Sequence, residues 1–573
     1  MGGLESLCYG DCSCKRAGVV RYRAGMPGQD DKRRARPPAH ELARYEALFA
    51  ARTRGMKSSA MREMMALTER PDVISLAGGL PDTSTFAPEL YAKLMSQVAV
   101  ESTARALQYG PTEGMAVAVD CIVEVMAAEG TSIDPANVIV TTGGQQVIDL
   151  VCKALIDPGD VIVAEAPTYP GAVPTFGAYQ ADVVQIEIDS DGMPIDELEA
   201  VLDRLTAEGR RPKFIYTIPN FQNPGGVTMS LPRRRRLVEV ARERELLVLE
   251  DNPYGLLRYE GEALPTLYSL DAQDGGAPAR GGGGDGASSD LVIYLGTFSK
   301  ILSPGLRLGW AVAPNAVLEK LNLGKQGADL CSSPMTQLFV SAYFAERGTE
   351  SHPPRPAWIE YVERLRNLYR RRRDVMLESL AEHFGGRASW TRPEGGLFIW
   401  ATLDGVDTTD LMGRSKGVAF VPGRSAYMDG RSGASSMRLN FAGVPEEDIR
   451  EGIRRISAIA GPDTGLMGAL TGSSAQATSA GAGAAERAPA GGDAGAGTAT
   501  EAGSGQGGET PSGTGGDSGA GGETPRAGTG SRAGQGSRGG AERDPGLADV
   551  VELPRREVLD PAHPSPSRRR QDR

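Results

Sequence analysis

Several features that mark membrane, secreted or nucleic-acid-binding proteins are missing from this sequence. It has no run of about 18 apolar residues, so it predicts no transmembrane helix. Its first residues lack the apolar core of a secretory signal. The 62 Lys and Arg are outnumbered by 73 Asp and Glu, which argues against a nucleic-acid partner. With 6 Cys in 573 residues, we expect no disulfide scaffold and a cytoplasmic location.

Aromatic residues make up only 6% of the chain and are unevenly distributed. The stretch 461–573 has no Phe, Tyr or Trp and is rich in Gly, Ala and Ser. It cannot bury enough apolar surface to fold, so we predict a disordered tail. We also predict a disordered extension at 1–44. Its Cys8, Cys12 and Cys14 lack the fourth ligand that a structural metal site needs, so we expect no metal.

The remaining part of the chain alternates apolar runs with amphipathic helices. This pattern predicts an α/β fold, with a mostly parallel central sheet flanked by helices in a large domain, and a smaller α+β domain after it. Strands are predicted at 138–141, 160–164, 213–218, 246–250, 291–295, 396–400 and 437–440, and a long Arg-rich helix at 359–384.

Composition and pattern also predict the domain limits. We expect an N-terminal arm at 45–80 that joins the small domain, and a large domain at 81–325. A linker helix and the small C-terminal domain follow at 326–460. The low-complexity segment 271–290 is short enough to be a loop insertion in the large domain.

Polar residues follow the predicted strands at the carboxyl ends, where open α/β sheets bind ligands. Gly143, Gly144 and Gln145 open a helix directly after a strand, where free N–H groups and the helix dipole favour a phosphate. A plain turn is the alternative reading. Tyr169 follows the next strand in a turn flanked by prolines, and it could equally be a packed surface aromatic.

The next two strands also end in residues that can bind a ligand. Asn223 follows one strand, Asp251 ends the other, and Tyr254 comes three residues later. A carboxylate at such a position is often a helix cap. The alternative is that Asp251 pairs with a protonated ring nitrogen.

A lysine follows the last of these strands. Lys300 is preceded by Thr297 and Ser299, and Arg307 lies seven residues further on. Most lysines are solvated surface charges, but an amine next to an apolar strand can lose part of its hydration. Its pKa then falls, and the amine can act as a nucleophile.

Taken together, these groups describe a single ligand. It has a phosphate for the helix start and Arg307, an aromatic ring for Tyr169 and a ring nitrogen for Asp251. It also has a ring hydroxyl for Asn223 and Tyr254, and an aldehyde for the lysine. Pyridoxal 5′-phosphate has all of these parts, and we predict it as the cofactor.

The sequence resembles the class I/II aminotransferases of PLP fold type I, and within them the branch of 2-aminoadipate and kynurenine aminotransferases. The resemblance covers about 50–460. It is carried by the stretches SLAGGLP at 75–81, LQYGPTEG at 107–114, PTYPG at 167–171, PNFQNPG at 219–225, EDNPY at 250–254, LGTFSKILSPGLRLG at 295–309 and MRLNF at 437–441.

The resemblance implies a role for each candidate residue around the cofactor. Lys300 would bond to the cofactor, Asp251 would pair with its ring N–H, and Tyr169 would stack on the ring. Asn223 and Tyr254 would bind the 3′-oxygen. The residues that would hold the phosphate are Gly143, Gly144, Gln145, Thr297, Ser299 and Arg307.

Other implied contacts lie outside the cofactor's own subunit or on the substrate. Tyr109 would reach the phosphate in the other subunit, which requires a homodimer. Arg438 would clamp the substrate α-carboxylate, beside Asn223 and Gly79, and Arg62 would meet the distal carboxylate of dicarboxylic substrates. The chain departs from the family at Gly144, where the family usually has serine.

The implied reaction is transfer of an amino group from an L-amino acid to a 2-oxo acid, with 2-oxoglutarate expected as the acceptor. Lys300, Asp251 and Tyr169 would be catalytic, in a ping-pong mechanism through pyridoxamine phosphate. Two alternatives are the effector domain of a MocR-type regulator, for which 1–45 is too short a DNA-binding domain, and another PLP reaction such as C–S lysis or decarboxylation.

Overall fold

The computed structural model describes residues 44–56, 70, 72–275, 289–415 and 417–461. The segments predicted to be disordered, 1–44 and 461–573, therefore lie almost wholly outside the described residues, and so does Arg62. The domain limits predicted from the sequence stay predictions.

A seven-stranded sheet forms the largest element, in the order β2-β8-β7-β6-β5-β3-β4. Its strands are β2 Val138–Thr141, β3 Val161–Ala166, β4 Asp182–Glu187, β5 Pro212–Thr217, β6 Leu247–Asp251, β7 Val292–Thr297 and β8 Gly309–Val312. Only β8 runs antiparallel to its neighbours, so the prediction of a mostly parallel sheet is confirmed.

Both faces of this sheet are covered by apolar packing, which explains the continuous apolar runs. In β3, Val161 and Val163 belong to one buried cluster, whereas Ile162 and Ala164 belong to another. Because successive side chains of a strand point to opposite faces, each strand needs apolar residues at nearly every position.

In the described residues, helices come before, between and after the strands of this sheet along the chain. Their bounds are α1 Pro88–Glu101, α2 Thr103–Leu107, α3 Ala116–Ala128, α4 Gly144–Leu155, α5 Ala172–Ala178, α6 Ile195–Ala207, α7 Leu231–Glu243, α8 Leu267–Gly275, α9 Asn315–Gln326, α10 Pro334–Ala345, α11 Ala357–Phe384, α12 Thr408–Arg414 and α13 Glu446–Ile459. Among the residues that the structure describes, no helix is both long enough and apolar enough to cross a membrane.

A second, antiparallel sheet follows the long helix α11. Its order is β12-β13-β10-β9, with β9 Ala388–Trp390, β10 Phe398–Leu403, β12 Val421–Pro422 and β13 Ser436–Asn440. It shares a separate apolar core with α11 and α13. A short parallel pair, β1 Ile74–Ser75 with β11 Val418–Ala419, joins the N-terminal part of the chain to this region.

The predicted loop insertion at 271–290 needs a correction at both ends. Its first five residues continue α8, which ends at Gly275. Asp271 is buried, and its Oδ2 accepts hydrogen bonds from Ser289 Oγ at 2.6 Å and from the Leu291 backbone N–H at 3.0 Å. These bonds hold the returning chain against the helix, and only 276–288 lie outside the described residues.

Candidate functional site

A cavity of about 300 Å³ lies at the carboxyl ends of the large sheet. The predicted site residues that line it are Gly79, Gly144, Gln145, Tyr169, Asn223, Asp251, Tyr254, Thr297, Ser299, Lys300, Arg307 and Arg438. Tyr109 is not among the lining residues and is 78% exposed. Arg62 lies outside the described residues. Twelve candidates from distant parts of the sequence thus meet around one space.

Lys300 projects into this cavity from the turn after β7. Its Nζ donates a hydrogen bond to the carbonyl oxygen of Gly79 at 2.6 Å. Burial, with the nearby charges of Arg438 and Arg307, lowers the pKa of Lys300 to about 8, although Asp251 opposes the shift. An amine with this pKa is unprotonated for a useful fraction of the time near neutral pH, so it can act as a nucleophile or base.

Asp251 ends β6, one strand away from the lysine. Its Oδ2 accepts a hydrogen bond from Tyr216 Oη at 2.7 Å. Burial raises the pKa of Asp251 to about 6, although the Tyr216 bond and Lys300 both favour the charged form. A cationic ring nitrogen beside this carboxylate would lower its pKa again. Sequence reasoning missed Tyr216, because it lies within an apolar strand and resembles a core residue.

Gly143, Arg307 and the start of α4 form a cradle for an anion. Gly143 has a φ of 80° and Arg307 a φ of 50°, and a Cβ on Gly143 would collide with the Arg307 guanidinium. Arg307 Nη2 donates to the Thr142 carbonyl at 3.2 Å. The guanidinium is thus held against a helix N-terminus whose free N–H groups attract negative charge.

Gly144 and Gln145 contribute to the cradle differently from their predicted roles. A Cβ on Gly144 would lie 2.9 Å from Leu295 Cδ2, so a serine here would require the Leu295 methyl group to shift. Gln145 Nε2 donates to the Gly171 carbonyl at 3.1 Å and to Thr175 Oγ1 at 2.8 Å. The Gln145 side chain is therefore engaged elsewhere, and its backbone N–H in the first helical turn is the group that can donate to an anion.

Two hydroxyls complete this end of the cavity. Thr297 Oγ1 donates to Ser299 Oγ at 2.9 Å and accepts a hydrogen bond from the Ser299 backbone N–H at 3.1 Å. Both residues are buried and line the cavity. The Thr297 hydrogen is used within the protein, so the Ser299 hydroxyl is the one of the two that can donate a hydrogen bond to an anion.

Arg438 closes the opposite end, from β13 of the antiparallel sheet. It is fully buried, and its Nη1 donates to Asn223 Oδ1 at 3.0 Å. Asn223 Nδ2 in turn donates to Tyr254 Oη at 3.3 Å. The guanidinium carbon lies 4.3 Å from the centre of the Phe398 ring. Burial lowers the pKa of Arg438 to about 10, so it stays cationic at neutral pH and can bind a carboxylate strongly.

Tyr169 forms one wall of the cavity after β3. A Cβ on Gly171 would collide with the Tyr169 ring, so the glycine lets the ring fold back over its own turn. Burial raises the pKa of Tyr169 above its ordinary value, which keeps the hydroxyl protonated. The ring can therefore stack on a flat ligand and donate a hydrogen bond.

The donors of this site fit pyridoxal 5′-phosphate. An anion cradle lies at one end, a ring-stacking tyrosine and a buried carboxylate lie in the middle, and a desolvated lysine stands beside them. Together with the parallel sheet, these groups define the class of fold type I enzymes.

Comparison with known proteins places the chain within this class. The profile of the family "Aminotransferase class I and II" matches residues 71–456. The chain is 42% identical to aromatic-amino-acid aminotransferase 1 of Thermococcus litoralis, over 72% of this chain and 94% of that protein. It is 38% identical to 2-aminoadipate transaminase of Thermus thermophilus, over 70% of this chain and 93% of that protein. The chain therefore belongs to the class I and II aminotransferase family.

A solved structure supports the same conclusion. The alpha-aminoadipate aminotransferase of Thermus thermophilus, complexed with N-(5′-phosphopyridoxyl)-L-leucine, matches with a TM-score of 0.65 and 34% identity, over 74% of this chain and 99% of that chain. The resemblance inferred from the sequence motifs is confirmed, and so is the fold.

Proposed function

We propose that this aminotransferase uses pyridoxal 5′-phosphate to move the amino group of an L-amino acid to 2-oxoglutarate. The observation that carries the proposal is the position of Lys300 and buried Arg438 in one cavity. Arg438 would bind the α-carboxylate of the amino acid and so bring its Cα towards the lysine. When bound, the cofactor would supply an electron sink for the Cα–H bond and a carrier for the amino group between the two half-reactions.

The protein groups would each do one task in this reaction. Lys300 Nζ would take the proton from the substrate Cα as a general base and later return a proton as an acid. Asp251 would hold a proton on the cofactor ring nitrogen, and its bond from Tyr216 orients it for this. Arg307 and the start of α4 would hold the phosphate.

The test of this reaction uses the wild-type enzyme with one substrate at a time. An amino donor added without acceptor should yield one equivalent of 2-oxo acid per site, because the amino group stays on the enzyme. Adding 2-oxoglutarate should then release glutamate. Carbon dioxide or a thiol as product would instead identify a decarboxylase or a C–S lyase.

We also propose a homodimer that completes the site. Leu107, the last residue of α2, is 71% exposed, and Tyr109, on the segment after it, is 78% exposed. A Cβ on Gly110 would lie 3.2 Å from Pro334, so this segment adjoins the start of α10, near exposed Leu330. Large exposed apolar side chains in one region favour a protein interface. Tyr109 would reach the phosphate of the partner from this surface.

The amino donor is the part of the proposal that depends on Arg62. Leu80, Ile218 and Phe398 line the cavity and suit an uncharged side chain, and the relatives named above act on aromatic amino acids or on 2-aminoadipate. We propose 2-aminoadipate, leucine-like or aromatic donors, with Arg62 binding the distal carboxylate of glutamate and 2-oxoglutarate.

A donor panel with 2-oxoglutarate tests this role. Arg62→Ala should weaken the preference for glutamate over an uncharged donor by about 10-fold or more, since a charge-assisted bond contributes about 1.5–3 kcal/mol. Arg235→Ala, which removes an exposed arginine from α7, is the matched control. An unchanged preference in Arg62→Ala would show that Arg62 does not bind substrate.

A further inference from the structure

A buried carboxylate lies behind the turn that presents Asn223. Glu165, in β3, is 1% exposed and does not line the cavity. Its Oε1 accepts a hydrogen bond from Thr217 Oγ1 at 2.5 Å, and its Oε2 accepts one from the Ile218 backbone N–H at 3.1 Å. The carboxylate therefore joins the end of β3 to the end of the neighbouring strand.

A third donor extends this network into the turn itself. Gln222 Nε2 donates to Glu165 Oε2 at 3.1 Å and to the Pro167 carbonyl at 2.7 Å. Gln222 Oε1 accepts a hydrogen bond from the Gly225 backbone N–H at 2.6 Å. Glu165 Oε2 and the Pro167 carbonyl both accept from the Gln222 NH₂ group, and the Gly225 N–H donates to its oxygen, so Glu165 helps to fix the direction of the amide that closes the turn.

The two ends of the network carry residues of the site. Asn223 follows Gln222 directly and contacts both Tyr254 and Arg438. Tyr169 lies two residues after Pro167. We propose that Glu165 is a positioning residue that sets the placement of Asn223 and Tyr169 in the cavity. The inference rests on the proposed function, because those two side chains matter only if they hold the cofactor.

Core packing alone does not explain a carboxylate at this position. Burial raises the pKa of Glu165 to about 7, since the bonds from Thr217, Ile218 and Gln222 offset only part of the lost hydration. Burying such a group opposes folding. A glutamine here would fill the same volume, but it would turn an NH₂ group towards one of the three donors.

The experiment compares Glu165→Gln with a matched control, Glu250→Gln, in the holoenzyme. Glu250 lies on β6, is fully buried and also accepts hydrogen bonds, from the Leu267 and Tyr268 backbone N–H groups at 3.0 and 2.9 Å. Those donors belong to α8 and not to the turns of the site. Both variants replace a buried carboxylate by an amide, but only the first disturbs the turn at 222–225.

Three measurements separate positioning from a general loss of stability. Glu165→Gln should lower kcat about tenfold, with a smaller change in KM, as expected for one misaligned hydrogen bond. The pH midpoint of the bound cofactor's visible absorbance should rise by about one unit, because Asn223 no longer donates squarely to the ring oxygen. Hydrogen exchange at the Gly225 amide should become about tenfold faster. Glu250→Gln should leave all three at wild-type values.

Each result decides the proposal. Wild-type values for Glu165→Gln, or equal changes in both variants, would contradict it. An inactive wild-type protein would contradict the proposed function, and Gly225 exchange would still decide whether Glu165 holds the turn. If Glu165→Gln does not fold, Gln222→Met must produce the same three changes, because it breaks the next bond of the network.

Discussion

At the scale of single residues, the charge of Arg438 has two effects in the cavity. The desolvated guanidinium can bind a carboxylate. Its positive charge also lies close enough to Lys300 to oppose protonation of the Lys300 amine. Burial is the larger cause of the lowered Lys300 pKa, and the charges of Arg438 and Arg307 add to it. The group that we propose as substrate anchor thus also helps to keep the lysine reactive.

The first prediction concerns Lys300, the lysine that we propose to bond to the cofactor. Borohydride reduction followed by peptide mapping should find the cofactor on Lys300, because its amine is buried in the cavity and has a lowered pKa. Lys300→Ala should reduce transamination by about 10³-fold or more. Lys153→Ala, which removes an exposed lysine of α4, should leave activity unchanged. Label on Lys153 or Lys325 would show that the site is wrongly assigned.

The second prediction concerns pH. Only the neutral amine attacks an aldehyde, so attachment of pyridoxal 5′-phosphate to the cofactor-free protein should speed up about tenfold per pH unit and level off above about pH 8, the lowered pKa of Lys300. The rate is followed by visible absorbance.

A charge variant tests the cause of this midpoint. Arg438→Met should move it to higher pH, because a neighbouring positive charge no longer disfavours the protonated amine. Arg235→Ala should not move it. A midpoint near the ordinary lysine value of about 10.4 in wild type would contradict the proposed environment of Lys300.

At the scale of elements, the contacts between strand ends and helix starts decide how the cradle is built. Leu295 of β7 packs over Gly144 at the start of α4, and the Gln145 side chain turns to α5 and the turn before it. The departure from the family's serine at position 144 is thus matched by a leucine that fills the space. Backbone N–H groups remain as donors at this helix start.

The third prediction tests this packing with a pair of substitutions. Gly144→Ser alone should not tighten binding of inorganic phosphate or of the cofactor, because its Cβ would lie 2.9 Å from Leu295 Cδ2. In a Leu295→Ala background the same serine should tighten binding about tenfold or more, as expected for a hydrogen bond to a charged group. Calorimetric titration of the wild type, the two single variants and the double variant measures this. Equal effects of the serine in both backgrounds would contradict the steric explanation.

At the scale of the whole molecule, every described residue that we assign to the site lies between Gly79 and Arg438. A chain cut to 45–460 should therefore sediment as a dimer and retain the kcat and KM of the full chain. The composition of 1–44 and 461–573 offers no core to contribute. Loss of folding or of the dimer in the shortened chain would show that the end segments contribute to the structure. The cytoplasmic location stays a prediction.

The sequence by itself predicted five of the seven strands of the large sheet and most of the residues that line the cavity. Runs such as 161–164 place side chains on both buried faces of the sheet, so they are apolar at every position. That pattern is visible in the sequence without a structure. Because parallel strands end at one edge, the polar residues after each run were bound to meet. The strands of the large sheet that were not predicted are β4, a partly exposed edge strand, and β8, which is only four residues long.

Only the tertiary structure decided how these groups are held. Arg438 Nη2 donates to the Ala77 carbonyl at 2.7 Å across 361 positions of sequence, and Tyr216 reaches Asp251 from inside an apolar strand. Glu165 resembles an ordinary strand residue in the sequence, yet it is bonded to three donors at the end of the neighbouring strand. Such contacts join residues whose separation follows no period, so they arise only when packing fixes the elements against one another.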